Sequence, residues 1–270
     1  MIRRLRTLVA TAVAVASAAV AAPHVLPLGS AAASTQASVN WDWGRIAEVG
    51  DWERGESSTG WGTWADGSGR VDIYYGQLAV DSGPAAFNKT ATGDVVTWKA
   101  GTGRSRGRWE FRVKAQQWAA AKAYPMRLEL VPANTAPGSC GGVTVTLARW
   151  TGFGSSTTFG IRRGADRWTK GLSLNNANTF HTFGFELRDT TMTWFVDGQP
   201  RARLTSAQAP TAFPTTGLVP RMVLDGTPGT AMTHTRLAAD WIRYFTLDRA
   251  GRTVPATAAP TRSAAVSGVC

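Results

Sequence analysis

Two segments of this 270-residue chain place charged residues at the two-residue spacing of a strand face. In YPMRLELVP (124–132), Arg127 and Glu129 share one side; in PRMVLDGTP (220–228), Arg221 and Asp225 do so. Glu129 with Asp225 would supply a carboxyl pair, the raw material of general acid and base work. The same residues would also satisfy one another as ion pairs, or offer hydrogen bonds to a polyhydroxylated ligand. Between them runs Gly142–Trp150 (GVTVTLARW), with Thr144, Thr146 and Arg149 on its polar side. None of the three is a carboxylate, and residues 133–165 contain no Asp or Glu. A threonine hydroxyl attacks only with a strong base beside it, and an arginine does not release a proton at working pH. Trp61, Trp64 and Trp150 stand in Gly-rich or strand-end settings and are candidate stacking platforms. His24, His181 and His234 have no metal-ligand spacing, and no phosphate loop or Ser/His/Asp arrangement is present.

The elements that must position these residues read as strands. In 108–114 (RWEFRVK), Trp109, Phe111 and Val113 share one face and charges the other. Phe183, Phe185 and Leu187 repeat the pattern, and Met192, Trp194 and Val196 alternate up to Asp197-Gly198, a strong hairpin dipeptide. Trp109, Trp194 and Trp241 fall on apolar faces and read as core. No sustained helical stripe interrupts residues 41–250. Hydrophobic residues make up 43% and glycines number 29, enough for a sizeable core with many turns. The pattern predicts an all-β, antiparallel sandwich.

Residues 1–33 read as a secretion signal peptide, with Arg3, Arg4 and Arg6 before an apolar run and small residues at the expected cleavage site. Residues 34–40 read as a short leader and 251–270 as a loosely ordered Pro/Ala/Ser-rich tail. A secreted, extracellular protein is expected, a monomer without stable membrane insertion once the signal is cleaved. Net charge is +11, or +8 without the three arginines of 1–33. The basic residues are scattered rather than clustered, which argues against nucleic acid; an anionic envelope or polysaccharide suits an exported chain better.

Three ordered segments resemble glycoside hydrolase family 16, the laminarinase and lichenase family. GRWEFRVKA (107–115) is similar to its G-R-x-E-x-R-x-K-A strand, FHTFGFELRDTTMTWFVDGQP (180–200) to its central hairpin, and AADWIRYF (238–245) to its closing strand. The resemblance implies a concanavalin A-like jelly roll over 41–250. It also implies a catalytic strand carrying E-x-D-x-x-E, whose glutamates act about 5 Å apart through a covalent glycosyl intermediate. Thr144, Thr146 and Arg149 fall where that strand needs carboxylates. A polysaccharide-binding pseudoenzyme is therefore expected, using Arg127, Glu129, Trp150, Arg221 and Asp225 toward glycan. The alternatives are a divergent hydrolase with Glu129 and Asp225 as relocated acid and base, or a lyase drawing on Tyr124, His181, Arg127 and Arg149. No cofactor is required. The resemblance adds a possible structural calcium at Asp240, on one carboxylate with carbonyls and water.

Export permits oxidation of the two cysteines, Cys140 and Cys270, and neither has another partner within the chain. Their bond would close a loop of about 130 residues, worth roughly 4–5 kcal/mol on chain-entropy grounds. Non-reducing mass spectrometry of the exported protein is expected to show a monomer with no alkylatable thiol; two alkylatable thiols would end the idea.

Overall fold

The segments of period-two alternation form strands. The computed structural model describes residues 46–52, 60–67, 69–83, 94–118, 122–227, 232–247 and 257–262. The segments read as signal (1–33) and leader (34–40), and most of the tail, lie outside the described residues.

The strands in chain order are β1 (Ile46–Asp51), β2 (Trp61–Ala65), β3 (Arg70–Ile73), β4 (Leu78–Asp81), β5 (Val95–Lys99), β6 (Gly107–Gln117), β7 (Pro125–Pro132) and β8 (Val143–Thr151). They continue with β9 (Ser156–Arg163), β10 (Asp166–Ser173), β11 (His181–Leu187), β12 (Thr191–Val196), β13 (Gln199–Thr205), β14 (Leu218–Leu224), β15 (Thr235–Phe245) and β16 (Thr261–Arg262). They form two antiparallel sheets, the jelly-roll sandwich expected. The first runs β13-β12-β11-β6-β15-β4-β3, with β1 also paired to β15; the second runs β16-β10-β9-β8-β7-β14-β5-β2. The first half of β15 pairs β4 and its second half pairs β1.

The core lies between the sheets. Trp109, Phe111, Val113, Phe183, Phe185 and Trp194 enter it from the first sheet, and Met126, Leu128, Leu130, Val143, Val145 and Met222 from the second. Asp197 and Gly198 both take positive φ (51° and 75°) in the two-residue turn joining β12 to β13.

On the charged side of β6, Arg108 and Glu110 are buried and paired at 2.6 Å, with the Arg108 guanidinium 4.0 Å from the Phe195 ring, while Arg112 and Lys114 are half-buried. The tail expected to be loosely ordered supplies an edge strand, Thr261 and Arg262 pairing with Thr169 and Trp168. Arg262 there pairs with Asp166 at 2.6 Å.

The glycine that opens the GRWEFRVKA segment has a steric reason. Gly107 sits at φ +137°, and a Cβ there would lie 2.1 Å from the Tyr244 ring. Gly107→Ala is expected to destabilise the fold by about 1–3 kcal/mol, the usual cost of a strained backbone position. Denaturant unfolding would measure it, and an unchanged midpoint would contradict the account.

Candidate functional site

β7 lies in the second sheet between β14 and β8. Because Met126, Leu128 and Leu130 enter the core, alternation turns Arg127 and Glu129 to the outer face. Register then assembles a row: Arg221 of β14 opposite Glu129, and Glu129 opposite Thr146 of β8. Arg127 stands opposite Arg149, and Thr144 opposite Arg162 of β9. The polar residues picked from sequence are thus brought together on one face.

They pair with one another. Glu129 Oε2 accepts from Arg221 Nε at 2.9 Å and Nη2 at 2.6 Å, and Oε1 accepts from Arg127 Nη1 at 2.9 Å. Arg127 Nη2 reaches Asp225 Oδ1 at 2.6 Å. The remaining terminal nitrogen of Arg221 donates to the carbonyls of Ser139 (2.8 Å) and Pro137 (3.3 Å), so the loop 133–142 folds over the row. Thr144 donates to the Cys140 carbonyl of the same loop. Arg162 reaches the Gly141 carbonyl at 3.5 Å. Glu129 has 0% exposure, and Arg127, Thr144, Thr146 and Arg221 are also buried.

Burial alone would push the Glu129 carboxyl up, but Arg127 and Arg221 outweigh it and hold it below the ordinary value. Asp225 moves the other way. Its burial raises it against the pull of Arg127, and the nearby Asp94 and Glu129 charges add to the rise. Its side chain keeps 21% exposure, against 0% for Glu129. Glycoside hydrolysis by either stereochemical course uses two carboxyl groups that reach the substrate. Here Glu129 is enclosed and engaged through both oxygens, and Asp225 is left without it.

The other residues picked from sequence separate. Register shifts in the pairing of β8, one between Thr146 and Arg149, carry Trp150 into the core at 3% exposure, where it stacks on Phe183 at 5.6 Å. It therefore faces no ligand, and its assignment as a sugar platform is corrected. Trp61 is half-buried against Trp52 at 5.3 Å, while Trp64 stays exposed. Of the lyase set, Tyr124 is buried in the core, where burial pushes its hydroxyl up to about 12. His181 lies on the first sheet, its two ring nitrogens 2.8 Å from Asp197 Oδ2 and from the Asn175 carbonyl oxygen. Both are apart from Arg127 and Arg149 on the second sheet's outer face, so these four form no common site.

Asp240 is met by the Arg112 guanidinium. No group of three or more His, Cys, Asp or Glu among the described residues is placed to hold a metal. A cation at Asp240 would have to displace this arginine, so the described residues, as arranged, do not fit a calcium site. There is no free cysteine among the described residues. Cys270 lies outside them, so its pairing with Cys140 remains a proposal.

Sequence reasoning missed Asp94, whose Oδ1 accepts from Gly226 N at 2.9 Å beside Asp225. It also missed the loop carbonyls that complete Arg221. Backbone acceptors leave no trace in residue type, and Asp94 follows a stretch without a clear strand pattern.

Solved structures with this architecture were found at low identity. A Bacillus licheniformis β-glucanase is 16% identical at a TM-score of 0.55, matching 74% of this chain and 97% of that one. The laminarinase catalytic domain of Thermotoga maritima is 15% identical at 0.57, over 76% and 97%. The endo-1,3-β-glucanase of Streptomyces sioyaensis is 14% identical at 0.58, over 75% and 96%. The chain has the laminarinase and β-glucanase fold. No family model and no curated protein sequence matches it. On the glucanase sandwich, then, the outer face of the second sheet carries a closed charge network in this chain.

Glu129→Gln leaves two buried guanidinium groups short of a counter-charge and is expected to cost about 3–5 kcal/mol in denaturant unfolding. The pH trend follows from the sign of the shift. With a folded value depressed below 4.5, Glu129 contributes stability above that pH and loses it as pH falls through the folded value. Glu129→Gln should therefore flatten part of the acid loss; an unaltered profile with unaltered stability would contradict the network.

Proposed function

We propose that this chain is an exported, monomeric polysaccharide-binding protein on a glucanase scaffold, without the retaining hydrolysis that the scaffold elsewhere supports. One observation carries the reading: Glu129, the carboxylate that register sets beside the degenerate strand, is sealed between Arg127 and Arg221. Thr144, Thr146 and Arg149 supply neither nucleophile nor proton donor. The ligand class is inferred from the fold shared with laminarinases and β-glucanases; an endo-acting O-glycanase of the human gut microbiota, 12% identical at a TM-score of 0.59, widens the range to other glycans. A Cys140–Cys270 bond belongs to the same reading. It would pin the loop whose carbonyls cap Arg221.

A second reading keeps hydrolysis and places it on Asp225, the accessible carboxyl of the network, with Asp94 beside it. It lacks a partner on the catalytic strand, and we rank it below binding.

Reducing-sugar assays on laminarin and mixed-linkage β-glucan are expected to show no release above the heat-treated protein, while affinity electrophoresis shows retardation in at least one glycan. Release abolished by Asp225→Asn would favour the second reading. Release that survives both Glu129→Gln and Asp225→Asn would overturn both.

A further inference from the structure

The first sheet carries an aromatic surface that the network on the second sheet does not involve. Five large hydrophobic residues among those described are exposed, and three of them lie together: Tyr74 (43%), Tyr75 (85%) and Trp118 (53%). By alternation Trp118 follows Gln116 on the outer side of β6, and Tyr74 follows Asp72 on the outer side of β3. The rings are organised by one buried carboxylate. Asp81 Oδ1 meets His234 Nε2 at 2.8 Å, and Oδ2 accepts from Arg236 at 2.7 and 2.5 Å. His234 lies parallel under Trp118, centroids 3.8 Å apart at 7°. The Arg236 guanidinium sits 4.2 Å from the Tyr74 centroid and 5.1 Å from that of Trp118. Tyr74 in turn meets Tyr75 edge-on at 4.4 Å. Tyr75 holds φ 48°, a left-handed conformation that is costly for a tyrosine, while leaving its ring in solvent.

We infer that Tyr74, Tyr75 and Trp118 form a glycan-binding platform on which pyranose rings stack. The inference rests on the polysaccharide-binding reading and gives it a location. Rings held by buried ion pairs lose little freedom on binding. The cation packed against the rings, Arg236, is already paired with Asp81, so the surface offers a polyhydroxylated ligand stacking rather than free charge. Half-buried Gln116, in register with Arg236, stands at the rim with an amide for hydroxyl groups.

The test measures dissociation constants of the full exported protein for laminarin, mixed-linkage β-glucan and mucin. Trp118→Ala should raise the constant about tenfold or more for whichever glycan binds, as expected of an anchoring aromatic, and Trp118→Phe should recover part of the loss. Tyr75→Ala should weaken binding several-fold with only a small fall in melting temperature, because its ring is largely in solvent and loses an edge-on contact with Tyr74. Phe153→Ala, an exposed aromatic in the turn between β8 and β9, should bind like the parent. If the parent binds and both Trp118→Ala and Tyr75→Ala match it, the platform is wrong while the binding reading stands. If the parent binds none of the three glycans, the reading fails and the platform with it. A dimer that Tyr75→Ala dissociates, without glycan binding, would assign the surface to a second copy and overturn the inference.

Discussion

The ion pairs that hold Glu129 between Arg127 and Arg221 decide what the outer face of the second sheet can be. A carboxylate with no exposure is costly in low dielectric unless opposite charge and hydrogen bonds surround it. Glu129 meets that condition with three donors, and each arginine must then place its own remaining protons. Arg221 does so on the Pro137 and Ser139 carbonyls, which brings the 133–142 loop down over the face. Arg127 places its Nη2 on Asp225, while its buried Nε meets no acceptor among the described residues. One buried charge thus propagates into a cover over the outer face of the second sheet. Such a network is weak evidence for net stability. Its effect is to fix the arrangement, because removing one member strands the others.

Much of this was legible in the chain. Period-two alternation placed Trp109, Phe111 and Val113 in the core and gathered Arg127, Glu129, Arg221 and Asp225 on one face, since the pleat leaves no other choice. Asp197-Gly198 marked its turn because two successive positive φ values demand such residues. What escaped the sequence was whatever breaks the period or depends on the backbone. Register shifts in the pairing of β8 sent Trp150 inward. Carbonyls of a loop completed Arg221. Alternation also does not say whether an outer face stays wet: Arg108 and Glu110 obey the pattern and are nonetheless buried, one paired with the other.

The two outer faces then differ in kind. On the second sheet, charges consume one another, and the side chains left to a ligand are few. On the first, a single carboxylate, Asp81, orders a histidine and an arginine so that aromatic rings remain outside them. The sandwich is a scaffold on which either face can carry recognition. Charge pairing on one face puts no constraint on stacking at the other.

Glu129, held ionised below the ordinary glutamate value by Arg127 and Arg221, is a structural centre and not a group open to substrate. Carbon-13 labelling of glutamate side chains, with Glu129 assigned through Glu129→Gln, would follow its carboxyl resonance through a pH titration with and without laminarin. The account predicts a midpoint below the ordinary glutamate value of 4.5 that laminarin does not move. A midpoint raised above that value, or one that shifts when glycan is added, would show a carboxyl open to substrate and contradict the account.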